Sequence, residues 1–410
     1  MIFLKLYKFT AFIILLFVSP YAWFKIKSGS ILWSDRFGLG DYQKADVWIH
    51  AASVGEVKVI SYLVDFLLAK KPELKIHVTV MTETGYATAK SIFKEQVNIS
   101  FLPLDSGITA SKVVEKINPG VMVIAETEIW FNSLHKLFSK KIPVILINGR
   151  MSSKAFGKYK FINKAMSVTL SKYSKLFVKS DSDASHFKNF NLPKNLLKII
   201  GDMKFDAPII PRSEGRRQEI RHRYGINEND YLLVAGSTRP REEEILLELF
   251  KKINSDNFKL ILAPRHIERS EQIMSLIEEQ NLPFDLCESS TGKKIVLIDK
   301  LGLLNDLYVA ADLAFVGGTM VEIGGHNILE PVWAGTPVIY GPSVANVIES
   351  SLYIEKNNYG LKVSSKEELF KVVKSIYLGE KKFNIKKNSL KENSPTAMAG
   401  EEILRVLQNV

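Results

Sequence analysis

The chain is 410 residues long, enough for two or three domains. Its hydrophobic share of 46% and charged share of 24% are ordinary globular values, which exclude a mainly disordered chain, a coiled coil and a multi-span transporter. The single cysteine, Cys287, excludes an intramolecular disulfide and a cysteine-based zinc or iron–sulfur site. The formal net charge of +11 suits anionic lipid or a phosphorylated substrate, and equally a plain solvated surface.

The N-terminal segment predicts a membrane anchor. Phe9–Phe24 carries no charge, and two lysines lie on either side of it. The run is short for a spanning helix, which needs about 20 apolar residues, and Pro20 interrupts it. Ser19–Ala22 is a poor signal-peptide cleavage site. We therefore expect residues 1–28 to form an uncleaved anchor that either crosses the bilayer or lies in its interface, with a buried first helix as the alternative.

Short apolar runs alternate with amphipathic ones through the first half of the chain. Short Val- and Ile-rich strands separated by helices indicate βαβ units and a parallel sheet. The predicted strands are Val47–Ala51, Lys75–Met81, Asn98–Leu102, Val121–Ala125, Pro143–Asn148 and Lys175–Val178, and the predicted helices include Val57–Leu68, Gly85–Phe93 and Ser111–Ile117.

The same alternation restarts after a proline-containing break at residues 206–215. The predicted strands are Tyr231–Ala235, Phe258–Ala263, Lys294–Ile298, Leu313–Val316, Pro337–Tyr340 and Gly360–Val363, and the predicted helices are Glu242–Ile253, Arg269–Gln280, Leu303–Ala310, Asn327–Trp333 and Glu401–Leu407. We expect an α/β protein with two doubly wound domains, residues 29–205 and 216–410, joined by a linker at 206–215. Ligands of such sheets bind at the carboxyl ends of the strands, so we expect the chemistry on loops that face a cleft between the domains.

Carboxylates follow two of the predicted strands in the first half. Glu56 comes shortly after Val47–Ala51, and Glu126 and Glu128 come directly after Val121–Ala125. Two carboxylates at one edge of a sheet suit general base catalysis on a hydroxyl. The alternative is structural, because a helix dipole stabilises a glutamate in the first turn and carboxylates also cap helices.

Glycines and cations follow strands in the second half. Gly317-Gly318 and Gly324-Gly325 precede a predicted helix start at Asn327, where the backbone can approach an anion closely. Arg239 and Arg265 each follow a strand, and arginine is the side chain best suited to phosphate. These features predict a phosphate-directed site in the second domain.

Three further residues have two interpretations each. Glu330, one turn into the helix that begins near Asn327, can accept hydrogen bonds from ribose hydroxyls, although a diglycine before a helix is often just a turn. His266 either contacts a ligand or caps a helix, and Lys204, near the linker, is either solvated or reaches a phosphate. A phosphate-directed site, carboxylates and a membrane anchor together indicate a membrane-associated glycosyltransferase that uses a nucleotide sugar, without naming the sugar.

Six motifs in the same order resemble the 3-deoxy-D-manno-octulosonic acid (Kdo) transferases of lipopolysaccharide synthesis. The resemblance extends from about Arg36 to at least Ser350. Its markers are His50-Ala51-Ala52-Ser53-Val54-Gly55-Glu56-Val57, Glu126-Thr127-Glu128-Ile129-Trp130, Asn148-Gly149-Arg150-Met151-Ser152, Gly201-Asp202-Met203-Lys204-Phe205-Asp206, Ala263-Pro264-Arg265-His266 and Gly324 to Pro331.

The resemblance implies a GT-B-type fold of two facing Rossmann-like domains and an inverting glycosyltransferase. It implies CMP-Kdo as the donor, a lipid A precursor (lipid IVA) as the acceptor, and neither a cofactor nor a catalytic metal. It further implies that the enzyme lies at the bacterial inner membrane, in contact with membrane lipid, with its catalytic domains on the cytoplasmic side.

The resemblance also implies roles for residues at matching positions. Glu56 resembles the proton acceptor, and Glu126 and Lys204 resemble the groups that stabilise the transition state. The implied CMP contacts are Pro264, Arg265, Leu301, Gly302, Leu303, Asn327, Ile328, Leu329 and Glu330. The chain departs from the family's Met-Gly-Glu-type turn at Leu301-Gly302-Leu303, and from its alanine at Gly149.

Two other functions remain open on the sequence. One is a membrane-associated GT-B glycosyltransferase that uses a UDP-sugar, which donor competition by CMP and UDP would distinguish. The other is a non-catalytic, membrane-anchored nucleotide-binding protein, in which Glu56→Ala would change nothing measurable. A nucleic-acid partner is not expected, because the sequence has no clustered basic patch with stacking aromatics.

Overall fold

The computed structural model describes residues 2–207, 209, 213–287, 291–383, 385 and 393–409. The helices are α1 (Ile2–Lys27), α2 (Ile31–Arg36), α3 (Val54–Lys70), α4 (Glu83–Phe93), α5 (Gly107–Ile117), α6 (Phe131–Ser139), α7 (Ser153–Lys160), α8 (Asn163–Leu170), α9 (Asp181–Lys188), α10 (Glu214–Arg223), α11 (Glu242–Ile253), α12 (Ser270–Glu279), α13 (Leu304–Ala310), α14 (Leu329–Trp333), α15 (Ile348–Lys356), α16 (Lys366–Tyr377) and α17 (Pro395–Leu407). The strands are β1 (Val47–His50), β2 (Ile76–Val80), β3 (Asn98–Phe101), β4 (Val121–Ala125), β5 (Val144–Gly149), β6 (Lys175–Val178), β7 (Leu197–Ile199), β8 (Tyr231–Thr238), β9 (Phe258–Pro264), β10 (Phe284–Leu286), β11 (Ile295–Leu297), β12 (Leu313–Val316), β13 (Val338–Tyr340) and β14 (Gly360–Lys362).

The first sheet is parallel throughout and has the order β3-β2-β1-β4-β5-β6-β7. Its strands are apolar on both faces because helices cover both faces: Val47 and Ile49 pack with α3 and α17, while Trp48 packs with α5 and α6 on the other side. Strands β1 to β3 are added towards one side of the sheet and β4 to β7 towards the other, so the strand order reverses between β1 and β4, which lie side by side with His50 opposite Ile124. This is the switch point at which doubly wound sheets bind ligands.

The second sheet, also parallel, has the order β10-β11-β9-β8-β12-β13-β14. Its switch point lies between β8 and β12. One face carries a core built from strands together with α11, α12 and α16. The prediction of two doubly wound α/β domains is therefore confirmed.

The boundary predicted for the C-terminal domain is wrong at its end. The chain divides into one unit of residues 1–207 with the C-terminal segment, and a second unit of residues 208–389. Helix α17 packs on α3 of the first unit, where Gly400 lies so close to the Phe66 ring that a Cβ would collide with it. Ile403 is fully buried there, and Lys70 pairs with Glu401 at 3.1 Å. Most of the predicted linker and of the lysine-rich segment before α17 lies outside the described residues.

Helix α1 continues through Pro20 without a break, unlike the interrupted run expected from the sequence. Proline has no N–H, so it removes the usual donor to the carbonyl of Leu16. The hydroxyl of Ser19 donates to that carbonyl at 2.8 Å instead. By its length and composition, the part of α1 from Phe3 to Lys27 could cross a membrane. This helix is therefore compatible with the predicted anchor.

Candidate active site

Glu56 stands at the start of α3, directly after the carboxyl end of β1. Its Oε2 accepts from the N–H of Ala52 at 2.8 Å, and its Oε1 accepts from the hydroxyl of Ser53 at 2.9 Å. The Ser53 Oγ in turn accepts from the N–H of Glu56. Ser53 thus caps α3, and the Glu56 carboxylate reaches back to the N–H of the residue before the cap, so Glu56 also serves the helix start, as the structural interpretation expected. These hydrogen bonds also fix the position of the carboxylate at the sheet edge.

Glu126 occupies the end of the neighbouring strand in a left-handed conformation. Its φ is +57°, which is uncommon for a residue with a side chain, and its N–H donates to Ile147 O at 2.9 Å. The turn directs the chain away from the sheet immediately after β4. A positive φ held at a strand end is typical of functional sites, where the surrounding structure sustains the backbone strain.

A buried lysine connects Glu126 to the segment that carries Lys204. Lys179 Nζ lies 3.1 Å from Glu126 Oε1 and 3.5 Å from Asp202 Oδ2. Burial alone would lower the pKa of Lys179, but Asp202 and Glu126 together raise it above its ordinary value. Lys179 is therefore a permanent cation between two carboxylates.

Asp202 extends this network to Lys204. Its Oδ1 accepts from the N–H of Lys204 at 3.0 Å, capping the 3-10 helix Met203–Asp206, and its Oδ2 lies 3.3 Å from Lys204 Nζ. Asn148 fixes the same segment, since its Oδ1 accepts from the N–H of Met203 at 3.0 Å. Three of the motifs singled out in the sequence thus meet at one edge of the first sheet.

The two glutamates interact electrostatically. Burial raises the pKa of Glu56 most, the hydrogen bonds from Ala52 and Ser53 oppose that effect, and the nearby Glu126 raises the pKa further. A carboxylate with a raised pKa is a stronger base than an exposed one, as a general base requires. The predicted meeting of Glu56 and Glu126 at one sheet edge agrees with this geometry.

Glu128 lies on the same edge but faces a different partner. Its Oε2 lies 3.7 Å from Nε2 of His50, which is fully buried at the end of β1. Nδ1 of His50 lies 3.0 Å from Thr79 O, and the ring meets Trp130 edge-on. These contacts with Thr79, Trp130 and Glu128 fix the orientation of the His50 ring at the end of β1.

In the second unit, cations gather around His326. Nε of Arg239 donates to Nε2 of His326 at 3.0 Å. Burial, followed by Arg239, Arg265 and His266, lowers the pKa of His326 to about 4, so this imidazole is neutral at pH 7. Arg265 and His266 are exposed at the end of β9. Arg239, Arg265, His266 and His326 form what we call the cationic cluster, with charge and donors suited to a phosphate.

The diglycine loop does not offer the open anion site expected from the sequence. Glu242 is fully buried, and its carboxylate accepts from the N–H groups of Gly318, Thr319 and Met320 at 2.8 to 3.0 Å. The chain's own carboxylate therefore takes the donors that an anion would need. Gly318 is required for another reason: its φ is +70°, and a Cβ there would lie 2.9 Å from the His326 ring.

The segment from Asn327 to Glu330 divides into exposed and buried side chains. Asn327 lies just before Ile328, the N-cap of α14, where its Oδ1 accepts from the N–H of Leu329 at 3.2 Å and its Nδ2 donates to Glu330 Oε1 at 3.2 Å. The side chains of Ile328 and Leu329 are buried, so their contacts with any ligand would have to come from the backbone. Helix α14 is also shorter than predicted, beginning at Leu329.

The other residues predicted to contact the nucleotide sugar lie at the end of β9 and in the turn before α13. Pro264 is buried as the last residue of β9, which leaves Arg265 as the exposed side chain of that pair. Leu301-Gly302-Leu303 forms a turn that leads into α13. Leu301 is 71% exposed, and Gly302 has a φ of +89° that favours glycine.

Sequence reasoning missed Lys179 and Glu242. Lys179 directly follows a predicted strand at the edge that carries Glu126, and this position was the available signal. Glu242 is the first of three consecutive glutamates, of which Glu242 and Glu243 are both fully buried, and nothing in the sequence shows which of them reaches the diglycine loop. Among the described residues, no group of three or more His, Cys, Asp or Glu side chains is placed to hold a metal ion.

The comparisons with known proteins agree with one family. Residues 32–207 match the family model described as 3-deoxy-D-manno-octulosonic-acid transferase (kdotransferase). The chain is 31% identical over 311 residues to the 3-deoxy-D-manno-octulosonic acid transferase of Haemophilus influenzae, covering 74% of this chain and 72% of that protein. It is 30% identical over 350 residues to the enzyme of that name from Aquifex aeolicus, covering 84% and 90%. The chain belongs to the Kdo transferase family.

A further relative is longer than this chain. The chain is 34% identical over 340 residues to a bifunctional glycosyltransferase/methyltransferase of Fusobacterium nucleatum, covering 80% of this chain and 52% of the relative. The match therefore spans about half the length of that relative. Membership of the Kdo transferase family makes this protein a glycosyltransferase.

Solved structures support the two-domain fold of this Kdo transferase. A UDP-GlcNAc 2-epimerase from Neisseria meningitidis superposes with a TM-score of 0.58 at 13% identity, covering 89% of this chain and 100% of that one. A glycosyltransferase from Rickettsia africae gives a TM-score of 0.54 at 14% identity, covering 90% and 94%. At such low identity the likeness concerns the fold.

Proposed function

We propose that this Kdo transferase moves Kdo from CMP-Kdo to a lipid A precursor, lipid IVA, with inversion at the anomeric carbon and with Glu56 as the general base. The observation that carries the proposal is the pair of carboxylates at the switch point of the first sheet. Glu56 and Glu126 follow the neighbouring strands β1 and β4, and the pKa of Glu56 is raised by burial and by Glu126. Family membership supports the sugar that is transferred.

In the proposed reaction, an acceptor hydroxyl oxygen attacks the anomeric carbon of Kdo from the face opposite CMP. The new bond from oxygen to carbon forms while the bond from the anomeric carbon to the CMP phosphate oxygen breaks, so CMP leaves with the bonding electron pair. Glu56 accepts the hydroxyl proton, a contribution typically worth about 10²–10⁴-fold. Glu126 and Lys204 stabilise the charge that develops during transfer.

The second unit holds the donor in this proposal. The cationic cluster binds the phosphate of CMP, with Arg265 as its exposed arginine. Asn327 donates hydrogen bonds to the nucleoside or accepts them from it, and Glu330 accepts them from the ribose hydroxyls. The backbone supplies the contacts of five further residues: Leu301, Gly302, Leu303, Ile328 and Leu329. Neither a cofactor nor a metal takes part, since the arginines and the lysine supply the positive charge that the leaving phosphate needs.

The proposed location is the cytoplasmic side of the bacterial inner membrane. The apolar helix α1 supports association with membrane lipid, because it exposes large side chains such as Phe9 and Phe17. A lipid acceptor carries its acyl chains in that membrane, so an attached enzyme meets its substrate at the surface.

The test is incubation of the purified full chain with CMP-Kdo and tetraacylated lipid A precursor, read by mass spectrometry. We expect mass increments of whole Kdo residues on the acceptor, and their number gives the count of residues transferred. Parallel reactions with UDP-sugars serve as controls. Transfer from a UDP-sugar without transfer from CMP-Kdo would contradict the proposed donor, and donor binding without any transfer would contradict the enzymatic function.

A further inference from the structure

Helix α1 is packed lengthwise on the first unit. The residues of reduced exposure recur every three or four positions from one end of the helix to the other, the spacing of one helical face. They include Phe3, Leu4, Tyr7, Ala11, Leu15, Val18 and Ala22. Leu15 in the middle is 8% exposed and Ala22 is fully buried, so the packing is not confined to the ends.

Both ends of α1 contact the same folded unit. Near the beginning, the Tyr7 ring meets the Phe131 ring edge-on at 5.2 Å, and the Tyr7 hydroxyl donates to Asp105 at 2.8 Å. Near the end, the Tyr21 ring meets the Trp33 ring edge-on at 5.2 Å. Tyr7 and Tyr21 are about 21 Å apart along the helix axis, so a helix that crossed the bilayer with Tyr21 at one surface would place Tyr7 inside the hydrocarbon core of about 30 Å, away from Asp105 and Phe131. A crossing helix cannot keep both contacts.

The outer face of α1 is apolar as well. The exposed fractions are 64% for Phe9, 82% for Phe17 and 66% for Phe24. Ile108, which is 57% exposed at the start of α5, adds to this surface on the same unit. An apolar face of this extent on a folded unit marks an interaction site.

Positive charge at both ends of α1 identifies the partner as a membrane with anionic lipid. Lys5 and Lys8 are exposed at the beginning, and Lys8 lies with Phe12 and Ile108 along one groove. At the other end, Lys27 Nζ sits 3.9 Å over the Trp23 ring, an arrangement in which an aromatic ring and a lysine share the headgroup level. Apolar side chains between basic ends are the pattern of an interfacial helix.

We propose that α1 lies in the plane of the membrane interface, with one face on the first unit and the other in the lipid, so that both of its ends remain on the same side of the bilayer. The inner face is occupied by protein and the outer face meets the boundary between headgroups and acyl chains. This inference concerns membrane topology and stands apart from the proposed reaction, because it depends on neither donor nor acceptor.

The first test places a single cysteine at each end of α1 in a Cys287→Ser background. Lys5 and Ser28 are both exposed, so Lys5→Cys and Ser28→Cys report the two ends. A membrane-impermeant maleimide is added to inverted inner-membrane vesicles and, separately, to right-side-out spheroplasts. We expect both positions to be labelled in the same preparation. Labelling of the two ends in opposite preparations would overturn the proposal.

The second test charges the outer face. Phe17→Asp combined with Phe24→Asp is expected to lower binding of the full chain to vesicles of phosphatidylethanolamine and phosphatidylglycerol about tenfold or more. Leu378→Asp is the matched control, since Leu378 is 56% exposed on the second unit. Circular dichroism checks that each variant folds. Undiminished vesicle binding by the folded double variant would overturn the proposal.

Discussion

Glu56 is held by hydrogen bonds that lower its pKa and by surroundings that raise it. Burial is the largest effect and Glu126 adds to it, while Ala52 N and the Ser53 hydroxyl oppose both, with a net increase in the pKa. The same carboxylate serves the start of α3, so one residue combines a structural and a proposed chemical role. Protonation of Glu56 distinguishes the two roles. If Glu56 only serves the helix start, its protonation changes the free energy of unfolding. If Glu56 is the general base, its protonation also stops the transfer reaction.

The raised pKa of Glu56 predicts the acid limb of the pH profile. A general base must be ionised, so the rate falls as the pH drops through the pKa of the folded enzyme. Because that pKa lies above the ordinary value of about 4.5, the decline in kcat/KM begins at a higher pH than for an exposed glutamate. The check is kcat/KM between pH 4 and pH 8, with circular dichroism at each pH. A flat profile down to pH 4.5 would contradict the assignment.

Lys179 is expected to act as a positioning residue for Glu126 and, through Asp202, for Lys204. Lys179→Met removes the cation that both carboxylates face, and we expect kcat to fall about 10- to 100-fold with CMP affinity unchanged. Lys179→Arg keeps the charge and should restore part of the rate. The control is Lys259→Met, which removes another buried lysine, in the second unit. Equal losses of kcat in both variants would mean that only stability matters.

Arg265 is expected to bind the donor phosphate. Arg265→Ala removes a charge-assisted contact typically worth about 1.5–3 kcal/mol, so CMP affinity should fall roughly ten- to a hundredfold. Calorimetry with CMP measures this directly. Arg223→Ala, at an exposed arginine of α10, is the control and should leave the affinity unchanged. Unchanged affinity in Arg265→Ala would remove this residue from the donor site.

At the scale of elements, the strands that carry the chemistry were well predicted, and two short outer strands were missed. Val121–Ala125 was predicted with its exact bounds, because a fully buried parallel strand reads as a continuous apolar run. The three-residue strands β7 and β10 were missed, since Leu197–Ile199 is largely exposed and has no such run. The hydrogen bonds by which Ser53 and Glu56 hold the start of α3 were visible in the sequence only as a helix start.

Helix α17 explains why the domain boundary was predicted wrongly. Its amphipathic pattern predicts a helix but does not say which core receives the apolar face. The answer lies in side-chain shape, where Gly400 admits the Phe66 ring of α3 and Ile403 fills the space behind it. A single sequence does not show which residues of distant segments pack together in this way.

The position of α17 predicts which unit a core substitution destabilises. Ile403→Ala leaves a cavity in the core of the first unit and should lower the free energy of unfolding by about 2–5 kcal/mol. Limited proteolysis should then cut first within residues 29–207, while CMP still binds. Ile277→Ala, at a fully buried position of the second unit, is the control and should produce the opposite pattern. Early cleavage of the second unit in Ile403→Ala would contradict the packing.

For the whole molecule, two sheets of similar topology carry different chemistry. The switch point of the first has carboxylates and lysines, and the corresponding region of the second has arginines around a neutral histidine. The sequence predicted this division because charged residues follow strands, and strand ends share an edge. It could not predict that Glu242 would accept from the backbone of the diglycine loop, since the adjacent Glu243 is equally buried and pairs with Arg269 instead.

The central claim is that Glu56 performs chemistry besides serving the start of α3, and one variant tests it most directly. Glu56→Gln keeps the size of the side chain and most of its hydrogen bonding but cannot accept the proton. The transfer rate from CMP-Kdo to the lipid A precursor, measured on a preparation whose melting temperature and CMP affinity are also determined, should fall by about two to four orders of magnitude. The CMP affinity should stay unchanged, and the melting temperature should not fall, because folding raises the pKa of Glu56 and so disfavours its charged form; a loss of about 0.3–1 kcal/mol in stability with little loss of rate is the result expected of a residue that only serves the helix start. A variant that keeps more than about a tenth of the wild-type rate would contradict the account and transfer the role of base to Glu126 or Glu128.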